Sequence, residues 1–274
     1  MRVVLAVGLA AALAGCGTDR STREPCSPNR TQTAAAPARL PQRWAVIING
    51  DTELRHKQNA VLAYRTVRSL GFTDDHVFVL TAADRRVTLP KTLQRFHAGQ
   101  EELAAVFGKI AAASAKGDLV LIYGTGHGDL SEEGESYLEL RGGELWALDL
   151  RDQIEQLPTD TVVVMDQCFS GGFANAFDGT TARAIVATTV DAQHSTECSH
   201  FARAFWRCFT KAGRADRNGD GKISVREAYQ VALEAHQRAL EGDPELGANG
   251  IYRAFNGLDD TLLQAPAVET ARIQ

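Results

Sequence analysis

Two stretches of the chain end an apolar run on a residue that can do chemistry. "LVLIYGTGHGDL", Leu119 to Leu130, runs into His127 between two glycines. "TVVVMDQCFSGG", Thr161 to Gly172, runs into Cys168 and then a glycine pair. A thiolate is a strong nucleophile, and a histidine brought near it in the fold can activate it and then act as acid. The two residues need only spatial proximity, and adjacent parallel strands ending at one sheet edge would supply it. Glycines at 124, 126, 128, 171 and 172 let the backbone turn sharply and come close to a substrate. A backbone N–H in such a turn can stabilise an oxyanion. Each residue alone also has an ordinary reading: a buried cysteine acting as a small apolar side chain, and a histidine in a polar loop.

The elements around these runs must position them. "RWAVIING" reads as a strand and turn, residues 56–70 as a helix ended by Gly71, and "HVFVL" as a second strand. Residues 99–116 read as an alanine-rich helix, Asp118 to Tyr123 as a third strand, and "SYLEL" as part of a hairpin. "WALDLRDQIEQL" reads as a helix, "TVVVMD" and "AIVATT" as a fourth and fifth strand, and residues 201–212 and 224–241 as further helices. Strands that are apolar throughout, alternating with helices, predict an α/β fold with a mostly parallel central sheet flanked by helices. In such sheets ligands bind beyond the carboxyl ends of the strands, where His127 and Cys168 both fall.

The arrangement resembles the legumain-like and caspase-like cysteine peptidases. Their signature is an apolar strand, His-Gly, a second apolar strand, then an acidic residue, any residue and Cys. It is met by "VLIYGTGHG" and "VVVMDQCFSGG". "WAVIINGDTELRHKQNAVLAYRTVRSLGFTDDHVFVL" is similar to the opening of legumains, and "AIVATT" to the strand after the nucleophile, so the resemblance covers roughly residues 43–210. It implies a caspase-like fold, Cys168 as nucleophile, His127 as general base and acid, and oxyanion-hole N–H groups from Gly128 and Cys168. It also implies a pocket lined by Arg55 and Asp166 for the residue before the scissile bond. Read from its position alone, Asp166 either faces a pocket or caps strand-end N–H groups. Arg55 could equally be an exposed charge, and His56 only the opening of a helix. Two positions differ from the legumain pattern: Gly126 stands where an Asp usually precedes the catalytic His, and "SHFARAF" lacks a later acidic pocket residue, with Ser199 or His200 in that region.

A third motif is independent of the first two. "DRNGDGKISVRE", Asp216 to Glu227, fits the twelve-residue EF-hand loop. Asp216, Asn218 and Asp220 stand at positions one, three and five, Gly221 at the sharp turn, Lys222 offers its carbonyl, and Glu227 offers a bidentate carboxylate. The expectation is one structural Ca2+, with no organic cofactor; the alternative is a polar turn that binds no metal.

The N-terminus has a short positive start, an apolar run from Val3 to Ala14 too short to span a bilayer, and then Leu13-Ala14-Gly15-Cys16. This resembles a bacterial lipobox, which implies a signal peptide over residues 1–16 and lipidation at Cys16. Residues 17–42 are rich in Ser, Thr, Pro, Arg and Ala and read as a flexible tether. Residues 43–265 then form the peptidase domain. Five cysteines are present, of which Cys26, Cys198 and Cys208 have no assigned role; Cys198 and Cys208 could pair. A formal net charge of −5 gives no basic footprint for nucleic acid. The sequence therefore leads to a cysteine endopeptidase in the bacterial cell envelope, lipid-anchored to the membrane, acting on protein or peptide substrates after Asn or Asp. The alternatives are a transpeptidase using the same thioester and a catalytically inactive peptide-binding module.

Overall fold

The computed structural model describes residues 39–82, 89–90, 93–196, 200–210, 215–240 and 246–264. The expected leader with Cys16, nearly all of the tether, Cys26, Cys198 and Ser199 lie outside the described residues.

The chain alternates strand and helix: β1 (Arg43–Asn49), α1 (Leu54–Ser69), β2 (Val77–Thr81), β3 (Gln94–His97), α2 (Gln100–Ala113) and β4 (Leu119–Thr125). A small antiparallel sheet follows, made of β5 (Gly128–Leu130), β6 (Ser136–Leu140) and β7 (Gly143–Trp146). The chain then continues through α3 (Ala147–Glu155), β8 (Asp160–Asp166), α4 (Gly171–Ala176), β9 (Ala184–Thr188), α5 (His200–Cys208), α6 (Val225–Ala239) and β10 (Tyr252–Ala254). The large sheet has seven strands in the order β10-β9-β8-β4-β1-β2-β3, all parallel to their neighbours except β10.

The strand sequences explain why the sheet is covered on both sides. Along β1, Ala45 and Ile47 join one buried cluster, and Trp44, Val46 and Ile48 join the other. The first cluster packs the sheet against α1, α5 and α6 through residues such as Val67, Phe205, Trp206 and Ala232. The second packs it against α2, α3 and α4 through Phe107, Ile110, Leu150 and Phe173. A strand buried on both faces has no polar alternation to show, which is why these runs read as continuously apolar. At roughly 25 cal/mol per Å² of apolar surface removed from water, such a two-sided core dominates the stability of the body. The expected α/β fold with a mostly parallel sheet is the one observed.

The structure adds elements that periodicity did not mark. Both edge strands, β3 and β10, are short and only partly buried. Helix α4, six residues long, begins within the glycine pair that follows Cys168. No helix among the described residues is long and apolar enough to cross a membrane.

Candidate active site

Register places His127 and Cys168. Thr125 at the end of β4 pairs with Asp166 at the end of β8. His127 and Cys168 each lie two residues beyond that pair, at the same edge of the sheet. Asn49 at the end of β1 pairs with Thr125 on its other side, which sets Asp51 next in the same row. Gly128 closes the gap between the His127 and Cys168 turns. A Cβ at Gly128 would lie 2.7 Å from the carbonyl oxygen of Cys168, 2.8 Å from that of Tyr137 and 2.5 Å from Gln167 Cγ. Only a residue without a side chain allows this approach.

The turn that carries Cys168 is held from three directions. Phe169, immediately after Cys168, has φ of 56°, a left-handed conformation that is costly for a bulky residue. Its N–H donates to the His194 carbonyl at 2.9 Å, and its carbonyl accepts from Ser136 Oγ of β6 at 2.8 Å. The small sheet that follows His127 thus braces the turn that carries Cys168. The Thr196 peptide brackets the sulfur: its N–H donates to Cys168 Sγ at 3.4 Å, and its carbonyl lies 3.6 Å from the same atom. Thr196 Oγ1 in turn bonds Nε2 of the buried His236, on α6, at 2.6 Å. Burial pushes the pKa of His236 down to about 4.

Cys168 is partly exposed, whereas the other described cysteine is not a candidate. Cys208 is a free, buried thiol bonded to the Ala204 carbonyl, and burial pushes its pKa up to about 11. The suggested partner of Cys208, Cys198, lies outside the described residues.

His127 is partly exposed and faces acid. Its Nε2 lies 3.3 Å from Glu53 Oε1 and 3.9 Å from Asp51 Oδ2. A carboxylate that accepts a hydrogen bond from Nε2–H favours the tautomer in which Nδ1 carries the lone pair. The second oxygen of Glu53 is paired with Arg55 Nε at 2.7 Å. His56 stands edge-on to His127, with ring centroids 5.7 Å apart, and its Nδ1 faces Thr125 Oγ1 at 2.9 Å. Burial, then the charge of Arg55, lowers the pKa of His56 to about 4.

The two expected pocket residues occupy different depths. Asp166 is fully buried, and its carboxylate accepts from Thr189 Oγ1 at 2.8 Å, Tyr123 OH at 3.3 Å and Asn59 Nδ2 at 3.3 Å. Burial raises its pKa well above the ordinary carboxylate value, against those donors and the nearby charge of Arg55. Arg55 is half-buried at the start of α1. It is near enough to act on Asp166 through its charge, but its direct partner is Glu53. His200 opens α5 and is exposed.

The acidic loop folds into the tight turn its glycines allow, with φ of 75° at Gly219 and 78° at Gly221. Asp216 accepts from the N–H groups of Gly219, Asp220 and Gly221, and Asp220 Oδ1 from that of Lys222. Asn218 Oδ1 accepts from Asp220 N–H. Glu227 Oε1 accepts from the N–H groups of Arg217 and Asn218, and Oε2 from Ser224. Ser224 and Glu227 form a capping box that starts α6. The side-chain donor set is all oxygen, which suits Ca2+. The carboxylates of Asp216, Asp220 and Glu227 are each engaged by the loop's own N–H groups.

Several residues at the site carried no recognisable motif: Asp51, Glu53, Ser136, Thr196 and His236. The register of β1 beside β4 was the available signal for Asp51 and Glu53. Thr196 and His236 meet only through the packing of α6.

No protein-family model and no curated protein sequence matches the chain. Among solved structures it is similar to protein GSU0716 from Geobacter sulfurreducens, with 14% identity and a TM-score of 0.55 over 82% of this chain and 97% of that one. At that identity the likeness bears on the fold alone.

Proposed function

We propose that the protein is a cysteine endopeptidase working through a His127–Cys168 dyad. The observation that carries this reading is the shared offset of the two residues beyond the Thr125–Asp166 register pair, with Gly128 pressed against the Cys168 carbonyl. In the proposed reaction the Cys168 thiolate attacks the peptide carbonyl carbon, and the developing oxyanion is held by the N–H groups of Gly128 and Cys168. His127 protonates the leaving amine as the C–N bond breaks, giving a thioester. Water then attacks the thioester, His127 takes its proton, and the acid leaves as the thiol re-forms. Glu53, by accepting a hydrogen bond from Nε2–H, would hold His127 in the tautomer whose Nδ1 is the base.

The pocket proposal follows from the same edge. Asp166 forms its buried floor, Arg55 its half-exposed wall, and an asparagine side chain offers both a donor and an acceptor to match them. The calcium loop at 216–227 would be structural, its Asp216, Asn218, Asp220 and Glu227 side chains and the Lys222 carbonyl holding Ca2+ at the head of α6. The lipobox resemblance supports an enzyme held on the bacterial envelope by a lipid on Cys16.

Mass spectrometry of a peptide library after incubation tests this reading. Hydrolysed products with Asn or Asp at the new carboxyl end, absent with Cys168→Ala, are expected. Intact peptides in wild type would refute the peptidase reading, and cleavage mainly after basic residues would refute the pocket. Products extended by an added amine would turn the proposal toward transpeptidation.

A further inference from the structure

One donor atom from each of Asp51, Glu53, His56 and His127 lies within 4.8 Å of the other three. Two of these residues follow the end of β1, one stands in the first turn of α1, and one follows β4, so the fold, not a local motif, assembles the set. Acidic and imidazole groups gather on many surfaces without a ligand, but here a buried atom points to one. His56 is fully buried, and its Nε2 has no hydrogen-bond partner. Leaving such a nitrogen unsatisfied costs about 1–3 kcal/mol. Its Nδ1 faces Thr125 Oγ1 at 2.9 Å. An outer partner of this kind on one ring nitrogen is what fixes a metal-binding histidine with the other nitrogen free for the ion.

We propose that Asp51, Glu53, His56 and His127 form a site for a zinc-like divalent transition-metal ion, and that occupancy switches His127 off. Two imidazoles and two carboxylates match the donor types and the number of a four-coordinate zinc site, and disfavour Ca2+ or Mg2+, which take oxygen. Glu53 and Asp51 already flank His127 Nε2 at 3.3 Å and 3.9 Å, so the ion enters at that nitrogen and displaces its proton. A neutral imidazole ligated through Nε2 carries its remaining proton on Nδ1. It then has no lone pair to take the Cys168 proton or the proton of the attacking water. The inhibitory consequence rests on the His127–Cys168 reading; the binding site does not.

The test titrates the full chain with a zinc salt against a chromophoric chelator, in excess calcium so that the oxygen-lined loop is saturated. The expected result is one zinc ion per chain, weakened at least about tenfold by His56→Gln and by Asp51→Asn and unchanged in Cys168→Ala. Circular dichroism separates loss of ligand from loss of fold in the buried His56 variant, and Asp51→Asn, on a partly exposed residue, gives an independent answer. Zinc bound equally by wild type and both variants, or lost in Cys168→Ala, would overturn the site. In parallel, alkylation of Cys168 should slow with zinc and recover with EDTA. Zinc binding without that slowing would overturn the switch while leaving the site intact. Absence of peptidase activity in metal-free protein would count against the dyad alone.

Discussion

The Thr196 N–H donates to the sulfur of Cys168 at 3.4 Å, while the Thr196 hydroxyl is tied to His236 of α6 at 2.6 Å. Cys168 is therefore tied to a helix that starts at the acidic loop, well outside the two strand ends. A hydrogen bond to sulfur favours the thiolate. Thr196→Val keeps the shape and removes the hydroxyl, leaving the buried His236 without its partner. The variant should lose about 1–3 kcal/mol of stability and its Cys168 should alkylate more slowly. Denaturant melts and iodoacetamide kinetics check both; unchanged values in the two assays would show that the contact positions nothing.

Asp166→Asn should reshape the pH dependence of stability. Asp166 has a folded pKa raised by burial, with Arg55 the facing charge, Tyr123 the facing titratable group and Thr125, Thr189 and Asn59 the neutral polar neighbours. Between the ordinary carboxylate value and the raised one, the folded chain keeps a proton that the unfolded chain has lost. Wild-type stability from this group is therefore full at acidic pH and falls as pH rises through that window. The asparagine variant lacks this slope and should gain on wild type as pH rises from the ordinary carboxylate value through the raised one. Urea melts at the two ends read it, and parallel curves would contradict it.

Gly128→Ala should be severe for its size. The added methyl meets two backbone carbonyl oxygens, of Cys168 and Tyr137, inside 3.0 Å, and backbone cannot swing away as a side-chain tip can. Overpacking of this kind costs about 1–3 kcal/mol. Turnover should fall further than stability does, because the shift separates the His127 and Cys168 turns. Thermal melts beside peptide-cleavage rates check this, and wild-type rates in the variant would contradict it.

Much of this was legible in the sequence, for a physical reason. Strands buried on both faces must be apolar throughout, so β1, β2, β4, β8 and β9 announced themselves, and with them the edge where His127 and Cys168 emerge. Strands β3 and β10 did not, because a short edge strand buries little and needs no pattern; "QRFH" and "YRA" resemble loop. The candidate site was legible where one residue type would carry the chemistry. It was silent where a residue acts through a contact between distant elements, as Thr196 does with His236, 40 positions away. Asp166 was visible, but its depth was not: burial depends on α1 covering the strand end.

Glu227 should act in two separable ways. As half of the capping box with Ser224, its loss should cost about 1 kcal/mol without calcium. As the last ligand of the loop, its loss should also abolish any calcium-dependent rise in melting temperature. Ser224→Ala should show the first effect and keep most of the second. Melts with calcium and with EDTA check both; a full calcium shift in Glu227→Ala would show that the ion, if bound, sits elsewhere.

The most direct measurement is the mass and location of the adduct formed when the protein meets a peptidyl acyloxymethyl ketone with asparagine before the reactive group. One adduct per chain is expected, mapped by peptide fragmentation to Cys168. It should be absent in Cys168→Ala and slowed by about 10²–10⁴-fold in His127→Ala, as expected for loss of the general base. An adduct on another residue, or labelling of Cys168 at the wild-type rate without His127, would contradict the dyad.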